Sequence, residues 1–526
     1  MERILFFSNL ILFSKFNCQP HTNMRKLFIA ISLLAITTIG LSQSNPFTSK
    51  LPLIDRYIDS FMKDWNIPGL AIGIVYKDQL IYARGFGYRD MENKLLVETK
   101  TMFPIASNTK LFTSTAACML ADEGKLNLDK PVRNYMPTLN FYNDELNAKV
   151  TLRDMLSHRT GLPRYDGIWV ASPFTRKETI DKVVFMKPVL SFREGYIYNN
   201  MMFASVGAVM ENVTGNSWED IIRNKILQPL QMNATCFTQE DMERKGNFAY
   251  PYYEPDSTHQ LKRLNFFAQS AALGPAGIIK SNIEDMSHWM MAQLNGGMYK
   301  GQQLIPEGAI KQTLVPNNIG DKVAKYEELS NALYCLGRII QTYKGYKIYT
   351  HTGSIDGIYS NLSFVPSENI AVFMVHNSVP AGNVRTVMAF PIIDRLLGLT
   401  KTGWSERYKK ESQAENVNSK KAKDSINETQ VKNTYPSHAL KDYLGKYTNP
   451  VYGDILIKLE NNQLLLSFRT IQSLLHHFHY DYFFTDEEST GKPSFRLTFI
   501  TDNKGEIGSI NMQPFGDPLA EFVRRK

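Results

Sequence analysis

The sequence predicts an α/β (α+β) fold, an antiparallel sheet flanked by helices with a helical region beside it, followed by a small C-terminal β-barrel-like domain. Three observations carry this. Strand-forming runs occur early, at residues 70–83, and late, at residues 346–375, while the chain between them carries long runs with apolar residues at helical spacing. Residues 401–437 are rich in lysine, glutamate, serine and asparagine. From His438 the pattern changes to short strands separated by turn signals. With 526 residues the chain can bury a sizeable core in two domains. The expected division is 1–42 as a signal region, 43–400 as the main domain, 401–437 as a polar linker and 438–526 as a β-rich domain.

Taken in order, Met24-Arg25-Lys26 is a short positive segment followed by an apolar stretch from Leu27 to Leu41, with Gly40-Leu41-Ser42 supplying small residues near a cleavage point. This is the pattern of a secretory signal and is short for a membrane span. It predicts an exported protein, periplasmic or secreted, with an uncleaved N-terminal anchor as the other reading. Ile4 to Phe13 is a poorer apolar stretch, which leaves Met24 as a candidate true start. No other segment is long and apolar enough to span a bilayer. Leu51 to Trp65 reads as a helix, and Leu70–Val75 with Gln79–Ala83 as a hairpin around Lys77-Asp78.

Ser107-Asn108-Thr109-Lys110 opens a helical run from Asn108 to Gly124, with Pro104 just before it. Positions i and i+3 share a helix face, so Ser107 and Lys110 point the same way. A serine hydroxyl is a poor nucleophile until a neighbouring base takes its proton, and a lysine amine can be that base. The helix N-terminus offers N–H groups to a developing oxyanion. Taken alone, Ser-x-x-Lys equally fits a helix cap followed by a solvated lysine.

Two further elements follow in chain order. Tyr198-Asn199-Asn200 lies between the turn Arg193-Glu194-Gly195 and an apolar run from Met201 to Val213. On extended backbone Tyr198 and Asn200 project to one side, where Lys110 would lower the phenol's pKa and make it a phenolate-like base. Asn200 can hold Lys110 and a substrate carbonyl. The other reading leaves Asn199 or Asn200 as a helix cap and Tyr198 as core. His351-Thr352-Gly353-Ser354 sits on a strand beside a hairpin, where Gly353 lets another backbone approach. The N–H groups of Ser354 and Ser107 can form an oxyanion hole.

Ser-x-x-Lys, Tyr-x-Asn and a Lys/His-Thr-Gly triplet, in that order, resemble the serine β-lactamase and penicillin-binding protein superfamily. With tyrosine in the middle motif the chain looks like the class C β-lactamase branch, which includes D-aminopeptidases, DD-carboxypeptidases and esterases. The resemblance runs from about Leu51 to Leu399 and takes in Leu156 to Pro163, Gly274 to Gly277 and Tyr334 to Gly337. It implies a serine hydrolase of peptide, amide or ester bonds working through a Ser107 acyl-enzyme, with Lys110 and Tyr198 as the base pair, Asn200, His351, Thr352 and Gly353 in support, and no metal or cofactor. It implies an alternative too, a slowly acylating or non-catalytic sensor. Histidine at 351, where the family's β-lactamases usually carry lysine, titrates near neutral pH and predicts weak or absent β-lactamase activity. Lys401-Thr402-Gly403 repeats the triplet literally but follows the helical run from Phe390 to Gly398, with no strand around it, and is assigned to the chain's exit. His158 reads as a framework residue.

The net charge is +8 with basic residues scattered, so nothing supports a nucleic-acid partner; the expected partner is a small-molecule or peptide substrate. Beyond the signal region lie Cys118, Cys236 and Cys335, which lack metal spacing and leave one disulfide open. In the last domain, Asn461-Asn462 between Tyr452–Glu460 and Gln463–Phe468 marks a hairpin. The segment resembles the lipocalin-like domain appended to such hydrolases, with its partner unknown. His476, His477 and His479 read as strand packing, with His477 and His479 on one face and no third ligand.

Overall fold

The computed structural model describes residues 45–254, 260–266, 273–320, 322–380, 382–485 and 494–525. The expected signal segment and the choice between Met1 and Met24 lie outside these residues. Helix α1 (Leu51–Asp64) has proline in its first turn and buries Ile54, Ile58 and Phe61 along one stripe. Strands β1 (Gly69–Tyr76) and β2 (Gln79–Asp90) form the expected hairpin, turning at Lys77 with φ of 57°. Helices α2 (Thr109–Asp122), α3 (Asn200–Thr214) and α4 (Ile283–Leu294) follow. Strands β3 (Ile339–Tyr343), β4 (Tyr346–Ile355), β5 (Ile358–Val365) and β6 (Ile370–His376) then complete the sheet.

The late strands return to the early hairpin. β6 lies antiparallel against β1, from Leu70 opposite His376 to Tyr76 opposite Ile370. Two-residue edge strands extend the sheet to nine strands among the described residues. β1 and β6 are buried almost throughout, which is why both read as continuous apolar runs rather than as alternating ones. β3 pairs with β4 only as far as Thr350, so beyond that residue β4 has a sheet neighbour, β5, on one side alone. Its open edge, from His351 onward, faces the helical region.

After α5 (Phe390–Leu397) comes α6 (Trp404–Glu428), a helix of 25 residues. Most of the segment expected as a polar linker is thus helical. The same lysine, glutamate, glutamine and alanine residues that keep the segment solvated are strong helix formers, so polarity there reported solvation rather than a lack of helix. Its start is anchored by the buried Trp404, whose indole N–H donates to Tyr343 Oη at 3.1 Å. Lys401-Thr402-Gly403 lies in the irregular turn before this helix, apart from the sheet.

The C-terminal strands β7 (Gly445–Asn449), β8 (Gly453–Glu460), β9 (Gln463–Phe468), β10 (Ile471–His479), β11 (Tyr482–Thr485), β12 (Arg496–Thr501), β13 (Ile507–Met512) and β14 (Ala520–Arg525) close into a barrel by pairing β7 with β14. Asn461 and Asn462 both take left-handed φ, of 48° and 59°, the requirement of the tight hairpin that their sequence signals. Alternate residues of β8 and β9, such as Ile455, Ile457, Leu466 and Phe468, are buried and fill the interior. A register irregularity in β10 falls between His477 and His479, so simple alternation does not relate them. His477 lies 2.8 Å from the Tyr480 carbonyl, and His479 accepts the Val431 N–H at 3.2 Å.

Candidate active site

Ser107 sits in a tight turn, Ala106–Asn108, that feeds directly into α2. Ala106 takes φ of 49°, a left-handed conformation that a residue with a side chain adopts only where its surroundings enforce it. Those surroundings are visible. The Ile105 carbonyl accepts the Ser360 hydroxyl at 2.9 Å, and the Asn108 amide donates to the same Ser360 Oγ at 2.8 Å. Gly353 of β4 lies against this turn, where an added Cβ would stand 2.4 Å from the Ile105 carbonyl oxygen. The close approach expected at this glycine is therefore made by the backbone that carries Ser107.

Lys110, in the first turn of α2, is fully buried. Its Nζ is 3.1 Å from Ser107 Oγ, 2.8 Å from Asn200 Oδ1 and 2.7 Å from the Ala276 carbonyl oxygen. Burial penalises the ammonium and, with the positive charge of Arg164, holds the pKa well below the ordinary 10.5, while Asp166 opposes them. A neutral lysine has two N–H bonds and one lone pair. The two carbonyl-type acceptors take the two N–H bonds, which leaves the lone pair for the Ser107 hydroxyl.

Tyr198 is hydrogen-bonded to Ser107, and its ring centroid is 4.8 Å from the Lys110 amine. The sequence expectation of a phenol acidified by Lys110 is corrected here. Desolvation pushes the Tyr198 pKa up, against the Ser107 hydrogen bond and Arg164, which lower it. Burial disfavours both charges of an ammonium–phenolate pair and so favours the neutral amine and the neutral phenol. Asn199 caps α3 through Met202 N at 3.1 Å, while Asn200 enters the helix and reaches Lys110. The amide of Asn200 also donates to Asp166 Oδ1 at 2.9 Å. His158 is buried below Tyr198, with ring centroids 4.4 Å apart, and accepts the Asn199 N–H at 3.1 Å. It holds the segment that presents Tyr198, as a framework residue would.

His351 differs from its sequence expectation. Its Nδ1 is 2.7 Å from the Thr352 carbonyl and its Nε2 is 3.2 Å from Tyr334 Oη, so both ring nitrogens are engaged, and Tyr198 lies 6.2 Å away between ring centroids. A ring that donates Nδ1–H to the carbonyl and accepts at Nε2 is neutral. Burial and the proximity of Lys110 push its pKa down to about 3. It therefore does not titrate near neutrality, because the desolvation that neutralises Lys110 acts on it too.

These groups line a cavity of about 530 Å³. Ser107, Tyr198, Asn200, His351, Thr352 and Ser354 all border it, with Lys110 beneath its floor and Gly353 behind its wall. Sequence reasoning missed Arg164, Asp166, Trp169, Arg385 and Phe515, which border it too. Arg164 pairs with Asp166 at 2.5 Å. The sequence signal for Arg164 and Asp166 was their place just after the Leu156–Pro163 segment. Phe515 comes from the barrel and had none. Cys118, Cys236 and Cys335 are free and buried, so the open question of a disulfide is answered in the negative among the described residues.

Residues 54–394 match the family model described as Beta-lactamase. The chain belongs to the beta-lactamase family. Residues 429–523 match a second model, described as a domain of unknown function, DUF3471. Among curated proteins, the unguisins hydrolase ungD' of Aspergillus campestris is 27% identical over 430 residues, covering 76% of each chain. Protein flp of Staphylococcus aureus is 27% identical over 328 residues, covering 62% of each. The octameric penicillin-binding protein homologue from Pyrococcus abyssi shares the fold with a TM-score of 0.60 and 22% identity, over 90% of this chain and 99% of that one. SurE does so with a TM-score of 0.55 and 17% identity, over 91% and 99%. The protein is thus a member of the serine β-lactamase and penicillin-binding protein superfamily, a family of hydrolases. No described helix is long and apolar enough to cross a membrane.

Proposed function

We propose that this protein is an exported serine hydrolase of the class C-like branch that cleaves amide or ester bonds of small molecules or peptides through an acyl-enzyme on Ser107. The observation that carries the reading is the Lys110 amine, 3.1 Å from Ser107 Oγ with acceptors for both its N–H bonds. Ser107 Oγ bonds to the substrate carbonyl carbon as its proton passes to the Lys110 lone pair. Backbone N–H groups of Ser107 and Ser354 hold the oxyanion. The carbon–nitrogen or carbon–oxygen bond then breaks while Tyr198 protonates the leaving group, and the Lys110 ammonium returns a proton to the phenolate. In the second half water attacks the ester carbon, its proton goes to the same pair, and Ser107 departs with a proton restored.

Asn200 aligns Lys110 and is itself held by Asp166. Neutral His351 stiffens β4 through Tyr334 and supplies no cation for a substrate carboxylate. Slow nitrocefin turnover is expected from histidine standing where the family's β-lactamases usually carry lysine. The name of the unguisins hydrolase, a relative, agrees with hydrolysis as the reaction class. The test is covalent labelling by a fluorophosphonate probe with turnover of p-nitrophenyl esters. Both are expected in the wild-type protein, and both fall by at least about 10³-fold in Ser107→Ala. Labelling that survives this substitution rejects the assignment, and a burst without later turnover marks a slowly acylating sensor instead.

A further inference from the structure

The barrel reaches into the cavity described above through one short turn. Phe515, in the Pro514–Gly516 turn between β13 and β14, is half-buried and borders the same space as Ser107. Its φ is 51°, a left-handed conformation for a bulky residue, so the turn is held against its local preference. Edge-to-face packing on Phe495, with centroids 5.2 Å apart, fixes the ring from behind.

The turn is clamped to the wall of the cleft. Asp517 Oδ2 accepts the Gly167 N–H at 2.8 Å, and an added Cβ at Gly167 would stand 2.6 Å from that same oxygen. Arg469 of the barrel donates to the carbonyls of Ile168, at 3.3 Å, and Val170. Its guanidinium also lies 5.9 Å from the Phe515 ring centroid. The barrel's own interior is packed with its own side chains, such as Ile455, Leu466 and Phe468, and Phe515 is the barrel residue that borders the cavity among the described residues.

The same cavity is bordered by Trp169, Val170 and Ile339, each left partly exposed. Arg164, Asp166 and Arg385 supply the polar lining of the same space. We propose that Phe515, together with Trp169, Val170 and Ile339, forms an apolar subsite that receives a bulky apolar side chain or acyl group of the substrate. The inference rests on the hydrolase reading above and adds that selectivity is completed by the second domain. Phe515 is a specificity residue in it and takes no part in the proton transfers.

The test uses the full chain, with Phe515→Ala and, as the conservative variant that keeps apolar volume, Phe515→Leu. Phe515→Ala is expected to lower kcat/KM for p-nitrophenyl phenylacetate, mostly through KM, about tenfold more than for p-nitrophenyl acetate, and Phe515→Leu recovers most of that difference. Equal losses on both esters, or no loss on the larger one, overturn the subsite. Calorimetric binding of N-phenylacetylglycine, with N-acetylglycine as control, reads the subsite without turnover. Binding of the phenylacetyl compound several-fold weaker in Phe515→Ala than in wild type supports it, and unchanged binding overturns it. A wild-type protein that binds this ligand through Phe515 yet shows no Ser107-dependent turnover would sink the hydrolase reading and leave the subsite standing.

Discussion

The two sides of the cleft are built by opposite means. On the Ser107 side, Lys110 contacts Ser107, Asn200 and the Ala276 carbonyl within 3.1 Å, and Asn200 passes the chain on to Asp166. On the barrel side, backbone groups of residues 167–170 are gripped by Asp517 and Arg469, and the surface offered to the cavity is apolar. The first arrangement tolerates no displacement, because proton transfer needs hydrogen-bond distances. The second needs only shape. Chemistry can thus be fixed within one domain while selectivity is adjusted from another, and both meet at the turn from Arg164 to Val170.

Removing the base is the harshest way to break that contrast. Lys110→Met is expected to lower the rate of Ser107 labelling by about 10³-fold, whereas Phe515→Ala leaves labelling by a small fluorophosphonate nearly unchanged. Similar losses from both would erase the distinction between the two sides.

Asp166 sits where the two meet, and Asp166→Asn is expected to cost ten- to a hundredfold in kcat/KM by loosening Asn200 and hence Lys110. A merely structural role would stop there. Because the Asp166 charge raises the Lys110 pKa, neutralising it should also move the acid limb of the pH–rate profile to lower pH. An unmoved limb would show that Asp166 does not act on the amine electrostatically.

The smallest effect concerns the barrel contact. Burial pushes the Asp517 carboxyl up to about 7 from its ordinary 3.8, despite the hydrogen bond from Gly167 N. A folded-state pKa above the unfolded one means a contribution that is complete below pH 3.8 and lost as pH rises through about 7. Thermal stability of the wild-type protein should therefore fall as pH rises from about 4 to about 7 and level off above that. Asp517→Asn, neutral throughout, should flatten that slope, and an identical slope in both proteins would contradict the assignment.

Much of this was legible in the sequence, for reasons that differ by residue. Ser107 and Lys110 were readable because helical spacing of three fixes a shared face, and the hairpin at Asn461-Asn462 because two left-handed residues in succession demand such side chains. The antiparallel sheet formed as expected, with the continuous apolar runs β1 and β6 paired within it. Protonation was not readable. Placing an amine beside a phenol predicts an acidified phenol, and only the depth of burial shows that desolvation is the largest influence at Lys110, Tyr198 and His351 alike. Phe515 was invisible for another reason: its place at the cavity depends on how a barrel is placed against a distant loop, which no local pattern encodes.

The central claim is that a buried, neutral Lys110 takes the proton from Ser107. Its most direct measurement is the pH dependence of Ser107 labelling by a small fluorophosphonate, followed by intact mass. A rate that holds on acidification from alkaline pH, and falls only at an apparent pKa well below the ordinary lysine value of 10.5, is the predicted result. A rate that collapses on acidification with an apparent pKa near 10.5 would show a lysine that is charged at rest, and would contradict the account.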